Sequence, residues 1–246
     1  MVRLARAILL AAVAFAVLAP TLGSANALQI GTQFLCLLTV ALMWNLLAGY
    51  AGLVSVGQQA FVGIGAYAMF AGVILWGWDP VPAILLGGVA AVLLAIPMAF
   101  FAFRLHGAYF AIGTWVVADI ARLLAGQWKA LGGGTGTSLP KGTAKDMFGV
   151  GQIKDLLDIS TAAAADALTY WLMLSLAVAM LVASYVFLRS RMGLGLQAIR
   201  DNENAARSVG VDPVKLKALV FLLTAFATGL CGALAFIQIT RVTPDA

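Results

Sequence analysis

Two groups of residues in this 246-residue chain have the types and spacing to do chemistry. The first lies in apolar surroundings. Asp119 and Arg122 stand three apart on one helical face, with Trp115 four residues before Asp119 on the same side. A charge at bilayer depth costs about 2.5 to 3.5 kcal/mol, so this pair must face protein or a water-filled path. It is either a structural ion pair near an interface or part of a solute path. Ser55, Gln58 and Gln59 follow a glycine-rich break, where free backbone groups and amides can be aimed at a polar solute. The other account of those glycines is close helix packing. Asn45 adds one conspicuous polar group near the end of the apolar run from Leu28 to Ala48. The second group is the polar stretch RSRMGLGLQAIRDNENAARSVG, Arg189 to Gly210, between two strongly apolar runs. Ala198, Ile199, Ala205, Ala206 and Val209 offer a small apolar surface there, and Arg200, Asp201, Glu203 and Arg207 offer charges that fix the orientation of a partner. A merely solvated loop explains the charges but not the alanine and glycine pattern.

Catalytic constellations are missing. No glycine loop ends in Lys and Ser/Thr to hold a phosphate, and no helix carries a pair of histidine ligands. The single histidine, His106, has no His, Cys or carboxylate at ligand spacing and reads as a satisfied interfacial residue. Intramembrane hydrolysis needs paired carboxylates or a nucleophile with its base, and Asp119 is the one carboxylate at depth. The chain is therefore expected to be no enzyme, to hold no metal or cofactor, and to move a solute.

The elements that position these residues follow from composition. With 63% hydrophobic residues, 10% charged residues and a mean hydropathy of +1.00, a soluble domain of this length has too little polar surface. Apolar runs of roughly 20 residues match the bilayer core, and 26 glycines suit close helix packing in lipid. The reading is an all-α polytopic transmembrane bundle of about seven membrane segments, including one that is glycine-broken or re-entrant. The N-terminal stretch, residues 1–27, is either a first helix held inside by Arg3 and Arg6, which is favoured, or a signal peptide cleaved at the A-x-A of Ala25 and Ala27. Helices are then expected over Leu28–Ala48, Gln58–Trp76, Val81–Phe103 with a kink at Pro97, Tyr109–Leu124, Leu168–Leu188 and Val214–Ile239, the last capped by Asp212 and Pro213. Cys36 and Cys231 fall in apolar runs and read as small apolar filler. Residues 126–166 form the longest loop, with a flexible GGGTGTSLPKG and a short amphipathic helix near DMFGVGQIKDLLDIS.

Charge counting orients the thread. Arg3, Arg6, Arg104, Arg189, Arg191, Arg200, Arg207, Lys215 and Lys217 fall on one side. The other has Lys129, Lys141, Lys145 and Lys154, offset by Asp146, Asp155, Asp158 and Asp166. The excess of Lys and Arg marks the inside, so residues 189–213 are cytoplasmic and the +5 net charge needs no nucleic acid.

Three regions resemble the branched-chain amino acid permease family of bacterial and archaeal ABC importers. They are GYAGLVSVGQQAFVGIGAYA, LHGAYFAIGTWVVADIARLL and GLGLQAIRDNENAARSVGVDPVKLKALVFLLTAFATGLCGALAF, in that order. The resemblance implies one transmembrane permease domain over residues 1–246 in the plasma (inner) membrane. It also implies a second homologous permease, two cytoplasmic ATPase subunits, an extracytoplasmic solute-binding protein and contact with membrane lipid. In that family the cytoplasmic loop before the last conserved helix enters a groove on the ATPase. Carried over, the coupling residues are Gly193, Ala198, Arg200, Glu203, Ala205, Ala206 and Gly210, with Glu203, Ala205 and Ala206 in the E-x-A-A positions. Asn45, Ser55, Gln58, Gln59, Trp115, Asp119 and Arg122 are the expected substrate-path residues.

The chain departs from that pattern in three places. Many relatives have His where Gln58 or Gln59 stands, and their outer loop is closer to GG-x-x-G-L than to GGGTGTSLP. Relatives also continue through further helices beyond the position of Asp245, so a truncated product is expected. In that case Ala225, Gly229 and Ala233, a small-residue ridge on the last helix, would lack part of its partner. The solute is expected to be a branched-chain amino acid, with urea or a short amide as the alternative. An ion-coupled carrier using Asp119 and a non-transporting scaffold are the more distant readings.

Overall fold

Side-chain oxygens decide where the helices begin. In the structure, a computed structural model that describes residues 19–20, 24–105 and 107–244, six helix starts are capped by Ser, Asp or Asn. Ser24 accepts from the Ala27 amide at the head of α1, Ala25–Asn45, which runs on through a π-helical turn, Leu46–Tyr50. Helix α2 is Gln58–Trp76, ended by Gly77 at φ 65°. Asp79 caps α3, Pro80–Ala102, with Pro80 in the first turn, where its missing N–H costs nothing. Helix α4 is Ala108–Gln127, α5 Val150–Leu157 and α6 Thr161–Arg189, headed by Ser160. Ser190 and Asn202 cap the short α7, Arg191–Asp201, and α8, Glu203–Ser208. Asp212 accepts from the Val214 and Lys215 amides to start α9, Pro213–Ile239.

Among the described residues, α1 with its π turn, α2, α3, α4, α6 and α9 are long and apolar enough to cross a membrane. The fold is the expected polytopic all-α bundle. The first of the seven expected segments lies outside the described residues, as does His106, whereas Ala25 and Ala27 sit in the first turn of α1. One boundary needs correction. Helix α6 starts at Thr161, inside the stretch 126–166 expected to be loop, because four alanines after the Ser160 cap are strong helix formers. Asp166 does not interrupt it, since Gln29 Nε2 donates to its Oδ1 at 3.5 Å.

Helix α9 is the most buried span and packs on α1, α2, α3 and α6. Its ridge has its partner within the chain, against the expectation of an unpartnered face: Ala225 and Ala233 are fully buried, and Gly229 lies against α3. A methyl on Gly229 would stand 2.5 Å from Ala91 Cβ and 2.8 Å from the Gly87 carbonyl oxygen, and one on Gly87 would stand 2.6 Å from the Gly65 oxygen. Methyls on Gly65 and Gly232 would overlap the Gly229 and Val62 carbonyls. Three backbones therefore touch where no side chain fits, which is how helices gain van der Waals contact when lipid is as apolar as leucine.

Each extramembrane segment is fastened to its own end of the bundle. At the outer end, β1, Thr137–Ser138, pairs antiparallel with β2, Arg241–Val242, and the Leu139 amide donates to the Thr240 carbonyl at 2.9 Å. The glycine-rich loop is thus held, not free, because its partner strand lies about a hundred residues away in sequence, beyond any local reading. Leu131, Leu139, Met147 and Val150 join the outer core with Phe70, Leu234 and Ile237. Asp79 ties the two outer segments together: its Oδ1 caps α3 and its Oδ2 accepts from the Phe148 amide at 2.8 Å. At the inner end, Leu196, Ile199 and Ala206 join Leu46, Phe61, Met98 and Phe221.

Gly63 and Gly65 form a matched pair on α2, since nothing lies within 4 Å of a methyl at Gly63. Gly65→Ala is expected to destabilise the protein by about 1 to 3 kcal/mol through overpacking, and Gly63→Ala to be neutral within about 0.5 kcal/mol. Thermal unfolding in detergent separates the two; equal melting temperatures would contradict the close-contact account.

Candidate functional site

At the inner end, α7 and α8 form a bent unit. Asn202, in an extended conformation at φ −158°, breaks the helix, and its Oδ1 accepts from the Asn204 and Ala205 amides to restart it. Gly193 is buried against the backbone of Leu188, where a Cβ would clash, so the turn out of α6 requires glycine. Arg200 points back into the chain: its Nη1 donates to the Gly49 carbonyl at 2.8 Å, and its Nε and Nη2 donate to Asp201. Gly52, at φ 69°, lies beside the Arg200 side chain. Glu203 receives Lys217 Nζ at 2.6 Å and Arg207 Nη2 at 2.8 Å, so α8 is tied to α9. The hydrogen bond from Lys217 chiefly holds the Glu203 carboxyl below the usual range; burial opposes this, and the charges of Lys217 and Arg207 add to it.

The expected coupling residues therefore divide. Gly193 and Ala206 are buried, Ala198 is half-buried, Arg200 and Glu203 are engaged within the chain, and Ala205 and Gly210 are exposed. The apolar surface expected from Ala198, Ile199, Ala205, Ala206 and Val209 is corrected accordingly. Ile199 and Ala206 face inward, because helical periodicity puts alternate turns of α7 and α8 on the bundle, and Ala205 and Val209 remain outside. Sequence reasoning missed Met192 and Leu194, which are exposed on the same unit. A short helix with one buried face must show the other, and the glycines around them obscured that pattern.

At membrane depth, Gln59, Trp115, Asp119 and Arg122 border one cleft of about 280 Å³ between α2 and α4, with Phe236 and Val242–Pro244 also lining it. Arg122 Nε donates to Asp119 Oδ1 at 2.9 Å, and the two side chains are 43% and 51% exposed. Trp115 is 58% exposed, so this face of α4 is open along its length. Ser55 and Gln58 lie elsewhere, buried where the chain enters α2. Trp44 Nε1 donates to the Ser55 carbonyl, the Val56 amide donates to Thr114 Oγ1, and Thr228 Oγ1 donates to Gln58 Oε1 at 3.3 Å. Gly57 lets this entry approach the Thr114 carbonyl. Asn45 stands apart, exposed, with its Oδ1 turned toward Gly49. Thr114 and Thr228 were missed by sequence reasoning; a hydroxyl inside an apolar helix, next to Trp115 in one case, was the available signal. Among the described residues, no cluster of three or more His, Cys, Asp or Glu can hold a metal ion.

Residues 26–246 match a family described as "Branched-chain amino acid transport system / permease component". Among curated proteins, the chain is similar to the high-affinity branched-chain amino acid transport system permease protein LivM of Salmonella typhimurium and to that of Escherichia coli. It is 28% identical to each over 257 residues. Those alignments cover 97% of this chain and 59% of each relative, so the chain spans under two thirds of the length of the curated relatives it matches. No solved structure matches it.

The Glu203 contacts make a pH-dependent expectation. A carboxyl lowered in the folded state adds stability that is complete above its unfolded value of about 4.3 and is lost as pH falls through the lower folded value. Hydrogen-exchange protection of residues 203–211 is expected to fall below about pH 4 in the wild type and to be lower and pH-independent in Glu203→Gln. A Glu203→Gln, Lys217→Met double-mutant cycle is expected to give a coupling of about 1 to 2 kcal/mol; zero coupling would place the hold elsewhere.

Proposed function

The chain belongs to the branched-chain amino acid transport permease family, and from that membership we propose that it is the membrane-spanning subunit of an ATP-driven importer for branched-chain amino acids. It is a multi-pass protein of the inner membrane. The names of the two LivM relatives support the choice of solute. The observation that carries the mechanism is the seating of α7 and α8. Arg200 grips the inner end of α1 at Gly49, and Glu203 grips α9 at Lys217, so one cytoplasmic unit holds two spanning helices.

In this reading a loaded extracytoplasmic binding protein docks on the outer segments. ATP binding closes two cytoplasmic ATPase subunits, one of which receives Ala205, Val209, Met192 and Leu194. The rigid α7–α8 unit passes that closure to α1 and α9, and the path alternates its opening; solute and ATP bias two packings of the helices through their differential contacts. A second homologous permease covers the open face of α4. That cover answers a cost visible in the geometry, because Asp119 and Arg122 are half-exposed at membrane depth, and lipid there is an expensive neighbour for a charge. An ion-coupled role for Asp119 fits less well, since the carboxylate already has a guanidinium within 2.9 Å.

Exposed positions test the docking without disturbing the core. Ala205→Trp and Val209→Arg are expected to leave the fold intact and to reduce both ATPase co-purification and ATP-dependent leucine uptake at least about tenfold, as losing a packed interface position does. Wild-type uptake with an intact complex would remove the coupling assignment. Asp119→Ala alone is expected to impair uptake more than Asp119→Ala with Arg122→Ala, because the single change leaves a cation unpaired; the reverse order would count against an ion pair that lines the path.

A further inference from the structure

Two thiols separated by 195 residues meet inside the membrane. Cys231 Sγ, on α9, lies 2.8 Å from Cys36 Sγ, on α1, and 3.4 Å from the Cys36 carbonyl oxygen. Both cysteines are free. The contact is not isolated: Gln238 Nε2 donates to Thr32 Oγ1 at 3.2 Å, one turn before Cys36 and two turns after Cys231, so polar contacts fix the register of α1 on α9 at two levels. Met173 Sδ of α6 lies 3.9 Å from Cys231 Sγ and closes the third side.

We propose that Cys36 and Cys231 are an oxidisable dithiol that forms a covalent staple between α1 and α9. A shared metal ion fits the geometry less well. Two thiolates held at about 2.3 Å from a tetrahedral ion stand almost 4 Å apart, whereas closure to a disulfide from the observed contact needs a movement under about 1 Å. Access is also one-sided. Cys231 is fully buried and Cys36 half-buried, and Phe34 and Leu37 beside Cys36 are turned out toward lipid. From the outer ends of their helices, Cys36 lies about 16 Å and Cys231 about 12 Å deep at 1.5 Å per residue. The reagent that reaches them must therefore be small and lipid-soluble. A membrane quinone meets that description. The two thiols give up two protons and two electrons, an S–S bond forms, and the quinone leaves as its quinol. An external dithiol reverses the step by exchange.

The staple joins the two helices whose inner ends hold α7 and α8, through Gly49 on one and Lys217 on the other. Its consequence for transport, a brake on relative movement of α1 and α9, rests on the proposed function; the staple itself does not.

These are the chain's two cysteines, which makes the chemistry directly readable. The intact protein in detergent is treated with an azodicarboxamide, which takes two hydrogens to become the hydrazine, then denatured and alkylated with a maleimide. The wild type is expected to lose both maleimide adducts and a mass of two hydrogens as a monomer, and to regain both adducts after dithiothreitol. Cys36→Ser and Cys231→Ser are each expected to keep one adduct. Persistence of both adducts in the treated wild type, or a product consisting of disulfide-linked dimers, would overturn the proposal. In vesicles carrying the complete transporter, oxidation is expected to slow leucine uptake by the wild type at least about tenfold and to leave Cys36→Ser unchanged. A staple that forms with uptake unaltered would uphold the dithiol and count instead against α7–α8 as the coupling element.

Discussion

The contact on which the rest of this bundle depends is the meeting of three backbones at Gly65, Gly87 and Gly229, with Gly232 beside Val62. In lipid no hydrophobic gain draws one helix to another, so close van der Waals approach has to supply the attraction. Side chains would hold α2, α3 and α9 apart; their absence lets carbonyl oxygens and Cα atoms touch. The consequences run outward in both directions. Toward the inside, the crossing brings Phe61 edge-on to Phe221, with ring centroids 5.6 Å apart, and sets Gln58 against Thr228. Toward the outside, it leaves room for Tyr67, Met69, Phe70 and Leu234 to fill a second core under the loop. The entry to α2 is then pinned to α4 by Gly57 and Thr114, so the depth at which Gln59 faces the cleft is inherited from the glycine contact.

Charge is distributed according to the cost of burying it. Ends of the bundle carry the pairs Glu203 with Lys217 and Asp212 with Lys215, where water or a partner can solvate what the pair does not. The hydroxyls inside the bundle, Thr32, Thr39 and Thr169, return their protons to carbonyls four residues back, so each is satisfied within its own helix. Asp119 and Arg122 break this pattern, being ionised groups on the least buried span. Their pairing reduces the cost of the site but does not remove it, because both remain open to whatever covers α4. That physical demand for a cover is independent of any likeness to other proteins.

Much of the scaffold was legible in the sequence, for identifiable reasons. The limits of α2 follow from its glycine break and from Gly77, and the start of α9 follows from the Asp212 and Pro213 pair. These are local rules. The misjudged start of α6 came from treating Asp166 as a loop residue, when a single carboxylate near an interface is tolerated if one amide reaches it. What stayed illegible was long-range. Nothing near residues 132–138 announces the strand Arg241–Val242, nothing near Cys36 announces Cys231, and the neighbour of the Ala225, Gly229 and Ala233 ridge proved to be inside the chain. At the candidate site, residue types were legible but facing was not. Gln58 and Gln59 are adjacent, yet one points into the core and the other into the cleft. Ala205 and Ala206 divide in the same way on α8. A one-residue step rotates a helical side chain by about 100°, and only the packing decides which of two neighbours is inside.

Magnitudes decide what holds α7 and α8 to the membrane helices. The Arg200–Asp201 pair is 43% and 69% exposed, a setting in which ion pairs contribute about 0 to 1 kcal/mol. Lys217 and Glu203 are more sheltered, at 16% and 29%, and their short charge-assisted bond contributes more, about 1.5 to 3 kcal/mol. Against these stand Leu196 and Ile199, 0% and 3% exposed, each stabilising the seated unit by about 1.5 to 3 kcal/mol relative to exposure, with Ala206 adding to them. Apolar burial therefore matches or exceeds the ionic contacts, and the charges chiefly choose the orientation in which that burial occurs. The unit is consequently part of the inner core and not a tethered loop. A tether absorbs displacement in its own flexibility; a unit packed into the core cannot move without moving the residues it is packed against, Leu46 at the end of α1 and Leu216 at the start of α9. This stiffness is what a link between cytoplasmic and membrane-spanning parts has to have.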